Sequence, residues 1–211
     1  MTTDLAAMRR QYTYGALLET EAPGDPFGLF ADWFEDARES STLEANAMVL
    51  ATVDQHGIPS ARTVLLKSFD ERGFVFYTNY TSKKGRDIGA NPAVAAVFNW
   101  PTHERQVRIT GTAELVSPAE SDAYFSSRPR GSQVGAAASP QSEPVIDRAW
   151  LEARFAHFAE GEEPLERPPE WGGYRIVARS IEFWQGRQDR LHDRLRYDRL
   201  KDHWDLVRLA P

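Results

Sequence analysis

The sequence predicts a mainly β fold with flanking helices, in which an antiparallel sheet curves toward a barrel. Most apolar segments are short and are separated by Gly, Pro, Asn or Asp, which is typical of strands joined by turns. These segments follow one another without a helix between each pair, so parallel β–α–β units are not expected. Polar and apolar residues alternate over Gln106–Val116, and this period of two indicates a strand with one buried face.

The other strands are predicted by the same criteria. Each is an apolar or alternating segment bounded by turn residues such as Gln55-His56-Gly57 or Asp70–Gly73. Phe74–Asn79 is expected to alternate between faces. The predicted strands are Ala47–Val53, Ile58–Phe69, Phe74–Asn79, Val94–Trp100, Gln106–Val116, Gly173–Gln185, Leu191–Tyr197 and Trp204–Leu209.

Helices are predicted where a capping signal precedes apolar residues at helical spacing. Asp25-Pro26 supplies an N-cap and a first-turn proline, and Ser117–Glu120 is a capping box. Arg128–Gly131 is expected to end the helix that this box begins. Residues 4–20 are weakly helical in pattern and are predicted to form a mobile arm. The predicted helices are residues 26–37, 82–88, 117–127 and 147–160.

Composition limits the class of protein. The 211 residues suit one domain, and a hydrophobic content of 41% is enough for a core, so a disordered chain is excluded. With no cysteine, the chain has no disulfide, thiolate nucleophile, Cys-ligated zinc or iron–sulfur cluster. We expect no transmembrane helix and no signal peptide, and therefore a cytoplasmic protein. A net charge of −6 argues against a nucleic-acid partner.

Two clusters are candidate phosphate sites. Tyr124 and Arg128 lie four residues apart on one predicted helix face, and Ser132 follows; two hydroxyls and a guanidinium suit a phosphate monoester. Lys83 and Lys84 begin the short helix that Ser82 caps, where free backbone N–H groups favour an anion. The alternatives are an ordinary surface pair and a plain capped helix.

Two strand segments carry further cations. If Leu191–Tyr197 is a strand, Arg190, His192, Arg194 and Arg196 share one face, which suits a planar anionic ligand near the aromatic Trp184. The alternative is a solvated strand face. Arg62 and Lys67 bracket an apolar strand, and their spacing of five predicts opposite faces.

The sequence contains no nucleophile elbow, no placeable carboxylate pair and no histidines at metal-ligand spacing, so no metal is expected. A cationic site without a strong acid–base group indicates chemistry carried by an organic cofactor.

Eight motifs occur in the order of the pyridoxine/pyridoxamine 5′-phosphate oxidase family and closely resemble it, and the match runs from about Met8 to Pro211. They are Arg62–Lys67, Phe76–Asn79, Arg105–Val107, Ser127–Gln133, Gln141-Ser142, Pro168–Arg175, Glu182–Gly186 and Arg190–Arg194. Two departures from the family pattern are visible. Lys83 stands where many members have Arg, and His103 stands where many have Leu.

The resemblance implies a flexible arm over residues 1–20 and one FMN-binding split-barrel domain over residues 21–211, which includes a C-terminal dimerisation and substrate region. It implies a homodimer with FMN at the subunit interface. The implied FMN-binding residues are Arg62, Val64, Lys67, Tyr77, Thr78, Lys83, Lys84, Gln106, Gln141, Ser142, Trp184 and Arg194. The implied substrate-binding residues are Arg9, Arg10, Tyr12, Lys67, Tyr124, Arg128, Ser132, Arg190 and His192.

The reaction implied by the resemblance is oxidation of pyridoxamine 5′-phosphate or pyridoxine 5′-phosphate to pyridoxal 5′-phosphate. Hydride passes to FMN, and O2 reoxidises the flavin to give hydrogen peroxide. Arg190 and His192 are the implied catalytic residues, which position the substrate at the flavin. The alternatives are a related split-barrel oxidase, such as a phenazine-pathway enzyme, and a non-catalytic binder of FMN or pyridoxal phosphate. Neither a nucleic acid nor a membrane is expected as a partner.

Overall fold

The structure is a computed structural model that describes residues 4, 11–40, 43–160 and 164–211. The helices are α1 (Pro26–Glu39), α2 (Lys83–Ala90), α3 (Pro118–Ser127), α4 (Arg130–Ala138) and α5 (Arg148–Ala159). The strands are β1 (Ala47–Val53), β2 (Pro59–Leu65), β3 (Ser68–Asp70), β4 (Gly73–Asn79), β5 (Ala93–Trp100), β6 (Arg105–Leu115), β7 (Trp171–Gln185), β8 (Asp193–Arg199) and β9 (Trp204–Arg208). Short 3₁₀ turns occupy Pro101–His103 and Gln188–Arg190.

The strands form one sheet in the order β2-β1-β5-β6-β7-β4-β3, and β8 and β9 extend it by pairing with β7 and β8. The β3–β4, β4–β7, β7–β8 and β8–β9 pairs are all antiparallel. The predicted mainly β fold with flanking helices is therefore confirmed. No helix among the described residues is long and apolar enough to cross a membrane.

The chain divides into two compact units. The terminal unit comprises Met1–Met48, Ala96–Thr110 and Arg179–Pro211. The central unit comprises Val49–Ala95 and Gly111–Ala178.

The core of the terminal unit is built around α1. Asp25 accepts a hydrogen bond from the backbone N–H of Gly28 and Pro26 occupies the first turn, as the sequence predicts. The helix buries the rings of Phe30 and Trp33. Phe30 packs edge-on against Phe98, and Trp33 packs edge-on against Phe183 of β7. These contacts join α1 to the sheet within this unit.

The central unit is organised around β4, which pairs with β3 on one side and β7 on the other. Six of its seven residues are buried, so both faces of this strand are covered and burial does not alternate along it. Helix α3 begins with the predicted capping box, in which Ser117 and Glu120 bond reciprocally. Ser82 caps α2 by accepting from the N–H of Gly85, again as predicted.

Helix α3 ends at Ser127, so the predicted break at Arg128–Gly131 is confirmed. Helix α4, which begins at Arg130, was not predicted; proline at its N-cap and glycine in its first turn are both tolerated. Three other sequence predictions are wrong in detail. Residues 11–20 contain no helix. The predicted strand Ile58–Phe69 is interrupted between β2 and β3. The predicted strand Leu191–Tyr197 begins only at Asp193, after a 3₁₀ turn.

Candidate functional site

A cavity of about 500 Å³ in the central unit, here called the central cavity, brings together most of the predicted site residues of that unit. Strands β2 and β4, helices α2 to α4 and the start of β7 supply its walls. The predicted residues that line it are Arg62, Val64, Lys67, Tyr77, Thr78, Lys84, Tyr124, Arg128, Ser132 and Gln141.

Lys84 is a buried cation in this wall, held by neutral groups. Its ammonium donates to Thr78 Oγ1 (3.1 Å), Ser82 Oγ (3.3 Å) and Gln141 Oε1 (2.8 Å). Burial, together with the Arg62 guanidinium, lowers the pKa of Lys84 to about 8. In the described part of the chain no carboxylate forms an ion pair with it, so its charge is available to an anion.

Arg62 is the second cation at this end of the cavity. Its guanidinium donates to Leu50 O (3.1 Å), Thr52 Oγ1 (2.8 Å) and Ser60 Oγ. The Asp87 carboxylate lies 3.9 Å from this guanidinium and accepts a hydrogen bond from the Thr52 hydroxyl (2.8 Å). Burial lowers the pKa of Arg62 from its ordinary value. These contacts fix the orientation of the guanidinium while the side chain still borders the cavity.

Lys83, the neighbouring predicted residue, does not line the central cavity. Its ammonium donates to Asp87 at 2.6 Å and lies 3.7 Å from Asp54. Two carboxylates therefore surround its charge. Lys83 and Lys84 are adjacent on α2, but only Lys84 lies in the cavity wall.

The predicted group of Tyr124, Arg128 and Ser132 also borders the cavity. The Tyr124 ring stacks on Tyr77 with centroids 3.9 Å apart. The Arg128 guanidinium lies 4.7 Å from the centre of the Trp171 ring. Its Nη1 is buried and has no hydrogen-bond partner among the residues that the structure describes. A buried guanidinium N–H without an acceptor is costly unless a ligand supplies one, and this group points to an anion.

The turn between α3 and α4 is fixed by a residue that the sequence analysis did not single out. The side-chain amide of Gln133 donates to the carbonyls of Phe125, Ser126 and Arg128 at 3.0–3.3 Å. These bonds satisfy the carbonyl groups at the end of α3. They hold Arg128 and Ser132 on the same side of the turn.

Arg62 and Lys67 line the same cavity, although an odd spacing predicted opposite faces. The prediction is wrong because β2 ends at Leu65, so the period of two does not continue to Lys67. The backbone N–H of Lys67 instead donates to Val75 O of β4 (2.8 Å).

Gln141 and Ser142 follow α4. Gln141 Oε1 accepts from both Lys84 and Thr78, the latter at 3.0 Å. Ser142 adopts φ +73°, an uncommon conformation for a residue other than glycine. Gln141 lines the cavity, whereas Ser142 lies just outside the wall.

The terminal unit contains a separate cluster of predicted residues. Trp184 and His192 have ring centroids 4.7 Å apart, and Tyr12 packs edge-on against both. A Cβ atom at Gly186 would approach the Tyr12 ring to 2.8 Å, so this position requires glycine. Gln106 is half-buried in β6 of the same unit, and Arg9 and Arg10 lie outside the described residues.

The surroundings of His192 in this cluster favour its neutral form. Burial, together with the Arg190 guanidinium, holds the pKa of His192 below its ordinary value. The backbone N–H of Arg187 donates to His192 Nδ1 (3.1 Å), so Nδ1 is the acceptor and the proton resides on Nε2. Nε2–H is thus a donor available to a ligand.

The prediction that four cationic side chains share one strand face is wrong. Arg190 lies in the 3₁₀ turn with φ +62°, and His192 precedes β8, so only Arg194 and Arg196 occupy the strand. Each meets a carboxylate: Arg194 donates to Glu182 (2.8 Å), and Arg196 to Asp198 (2.7 Å). Pairing with carboxylates relieves the repulsion between these two arginines.

Two carboxylates that the sequence analysis missed hold residues 13–17. Glu104 Oε2 accepts from the backbone N–H groups of Thr13 (2.6 Å) and Tyr14 (2.9 Å). Asp193 Oδ2 accepts from the N–H of Leu17 (3.0 Å). No local signal could have identified these contacts, because they join residues 90 or more positions apart.

An antiparallel sheet whose cavity combines stacked aromatic rings, hydroxyls and unpaired cations defines a binder of phosphorylated aromatic molecules. The family model described as pyridoxamine 5′-phosphate oxidase matches residues 34–160, and that of the pyridoxine 5′-phosphate oxidase C-terminal dimerisation region matches residues 171–211. The chain belongs to the pyridoxamine 5′-phosphate oxidase family.

The names of individual relatives agree with this family assignment. The pyridoxine/pyridoxamine 5′-phosphate oxidase of Rubrobacter xylanophilus is 58% identical over 99% of this chain and 97% of that protein. The protein of the same name from Ectopseudomonas mendocina is 54% identical over 100% of both. PhzG from Burkholderia lata, solved with tetrahydrophenazine-1-carboxylic acid, has a TM-score of 0.88 at 32% identity and covers 93% of this chain and 98% of that one. The predicted split-barrel fold is confirmed.

Proposed function

We propose that this chain is an FMN-dependent oxidase that converts pyridoxamine 5′-phosphate and pyridoxine 5′-phosphate to pyridoxal 5′-phosphate, with O2 as the final electron acceptor. The observation that carries the proposal is a buried Arg128 N–H, without a partner among the described residues, in an aromatic cavity that Lys84 and Arg62 also line. Relatives that are 51–58% identical over nearly their full length carry the name of this activity.

The Lys84 end of the central cavity suits the phosphate of FMN. Lys84 and Arg62 supply two positive charges, and Thr78 and Gln141 already hold the ammonium in place. When bound, FMN supplies the two-electron acceptor that the side chains of this protein lack. The other proposed FMN contacts are Val64, Lys67, Tyr77, Lys83, Gln106, Ser142, Trp184 and Arg194.

The Arg128 end suits the phosphate of the substrate. The unpartnered guanidinium N–H, the Tyr124 hydroxyl and the Ser132 hydroxyl are three donors of the kind that bind a phosphate dianion. Two groups of cations in one cavity, Lys84 with Arg62 and Arg128 with its two hydroxyls, fit two phosphorylated molecules better than one. Lys67, which borders the same cavity, is proposed to contact both ligands.

His192 and Arg190 are the proposed catalytic residues, with positioning roles. His192 offers an Nε2–H donor, and the packed rings of Tyr12 and Trp184 restrict its movement. Arg190 adds a positive charge that favours an anionic ligand. Tyr12, with Arg9 and Arg10, is proposed to close over the substrate.

A homodimer is part of the proposal. Trp184, Arg190, His192 and Arg194 all belong to the C-terminal segment that matches the family's dimerisation region. Sedimentation velocity should give a dimer that retains one FMN per chain. A monomer with full FMN occupancy would contradict the proposed assembly.

The activity is tested on the purified protein. It should be yellow, and acid should release FMN rather than FAD. Adding pyridoxamine 5′-phosphate in air should produce pyridoxal 5′-phosphate and hydrogen peroxide. Bound FMN without peroxide would indicate a binder, and turnover of a reduced phenazine carboxylate instead would indicate the chemistry of the PhzG branch.

A further inference from the structure

Trp171 is a buried residue of the central cavity to which the proposed function gives no role. Its side chain is 6% exposed and lies at the first position of β7. Its ring is nearly parallel to those of Tyr77 (5.6 Å, 13°) and Tyr124 (6.1 Å, 8°). The Arg128 guanidinium lies 4.7 Å from the centre of the same ring. One indole thus contacts two groups of the proposed phosphate site.

The backbone holds Trp171 firmly. Its N–H donates to Pro168 O (2.9 Å), and its carbonyl accepts from the Arg167 guanidinium (2.6 Å). It pairs with Asn79 at the end of the β4–β7 ladder. The indole is therefore a fixed surface against which longer side chains can be oriented.

Arg128 needs such a surface. In the described part of the chain no carboxylate forms an ion pair with it, and its buried Nη1 has no acceptor. The Trp171 indole (4.7 Å) lies nearer to the guanidinium than the Phe125 ring does (5.9 Å). Stacking restrains a guanidinium plane while leaving its N–H groups free for a ligand.

A glycine makes the aromatic stack possible. Tyr77 pairs with Gly173 across the β4–β7 ladder. A Cβ atom at position 173 would approach the Tyr77 ring to 2.8 Å and would force the ring away. The chain thus leaves space for Tyr77 beside Tyr124 and Trp171, and the three rings form one packed group.

We infer that Trp171 is a positioning residue that orients Arg128 and Tyr124 toward the phosphate of the substrate. The inference rests on the proposed function. Trp171 acts through Arg128, so its contribution should appear in substrate binding and should vanish when Arg128 is removed. A purely structural role would instead lower folding stability or FMN occupancy without this dependence on Arg128.

The test compares Trp171→Leu with Trp171→Phe in the FMN-loaded protein. The leucine variant loses the aromatic face, and we expect its KM for pyridoxamine 5′-phosphate to rise about tenfold with kcat and FMN occupancy nearly unchanged. The phenylalanine variant keeps a smaller face and should recover most of the loss. The matched control is Trp150→Leu, because Trp150 stacks with Arg154 (5.0 Å) elsewhere in the same unit. Its KM should stay at the wild-type value.

The decisive measurement is a double-mutant cycle with Arg128→Ala. In that background Trp171→Leu should raise KM no further, and inhibition by inorganic phosphate should weaken in both single variants. If the leucine variant does not fold, the same cycle is made with Trp171→Phe. Additive effects in either cycle, or an unchanged KM in Trp171→Leu, would overturn the inference.

Failure of the inference about Trp171 can be distinguished from failure of the proposed function. If the wild-type protein does not oxidise pyridoxamine 5′-phosphate, the proposed function fails. The role of Trp171 is then judged by competition of inorganic phosphate for the cavity, measured by calorimetry on the same variants. Loss of phosphate binding in Trp171→Leu supports the inference, and unchanged binding overturns it.

Discussion

The two units neutralise their cations in different ways. In the terminal unit Arg194 pairs with Glu182, and Arg208 pairs with Asp193 (2.8 Å) and with Glu19. Among the described residues, Lys84 of the central cavity contacts neutral groups, and a buried N–H of Arg128 has no acceptor. A buried unpaired cation lowers stability, so its presence indicates a ligand that supplies the missing negative charge. The lack of a carboxylate partner therefore marks Lys84 and Arg128 as the cations that depend most on a ligand.

The largest effect is expected at Arg128. Arg128→Ala should weaken pyridoxamine 5′-phosphate binding by about 2–4 kcal/mol, because a charge-assisted pair to a dianion is lost. FMN occupancy should change little. KM and acid-released FMN measure the two quantities. Arg154→Ala is the control, since Arg154 also stacks on a tryptophan but does not line the cavity. Equal loss of both ligands would mean that the two cationic ends do not bind different molecules.

The pH dependence of FMN binding tests whether the unpaired charge of Lys84 binds the cofactor. Its pKa is lowered from the ordinary 10.5 to about 8, so the apoprotein loses this charge as the pH rises through 8. FMN affinity should then fall by up to about tenfold per pH unit. Stability of the apoprotein should instead increase with pH between 8 and 10.5, because the unfolded chain holds the proton more tightly.

Quenching of flavin fluorescence on titrating apoprotein, at pH values from neutral upward, measures this dependence. Lys84→Arg stays charged over the whole range and should give a flat profile. A wild-type profile as flat as that of the arginine variant would show that Lys84 does not bind the FMN phosphate through its charge.

A smaller effect is expected at His192. Arg190→Ala removes the nearby positive charge, so the pKa of His192 should rise toward its ordinary value, although burial still lowers it. The acidic limb of the kcat/KM profile should move to higher pH, and NMR titration of the imidazole should give the same shift. A shift in the opposite direction would show that the Arg190 guanidinium does not lower the pKa of His192.

The smallest effect is expected at Arg196, which is paired with Asp198. Arg196→Ala should change the free energy of unfolding by less than about 0.5 kcal/mol, and FMN affinity and kcat/KM should remain those of the wild type. Chemical denaturation and steady-state kinetics measure these quantities. A marked loss of FMN would remove the distinction between paired and unpaired cations.

The sequence correctly predicted features that depend on a few adjacent residues, such as helix caps. The caps at Asp25 and Ser82 and the capping box at Ser117 are correct because each depends on a few adjacent residues. Tyr124 and Arg128 were paired by helical spacing, and the structure places both in one cavity.

The errors concern backbone conformation and distant contacts. Asp189 and Arg190 adopt positive φ without glycine, which leaves no mark in the sequence and ends the predicted cationic strand. Trp171 was quoted only as part of a motif, because its stack joins residues from β4, α3 and β7. Long-range contacts of this kind have no local periodicity that could reveal them.

The attachment of residues 13–17 has a consequence for sequence variation. Glu104 and Asp193 accept hydrogen bonds from the backbone N–H groups of Thr13, Tyr14 and Leu17. These bonds do not depend on which side chain the donor residue carries. Substitutions at position 13 can therefore accumulate while the chain stays attached at its amide groups. Proline is the exception, because it has no N–H to donate. Tolerance of a changed side chain is limited to position 13, because Leu17 is buried and the Tyr14 ring packs against His103.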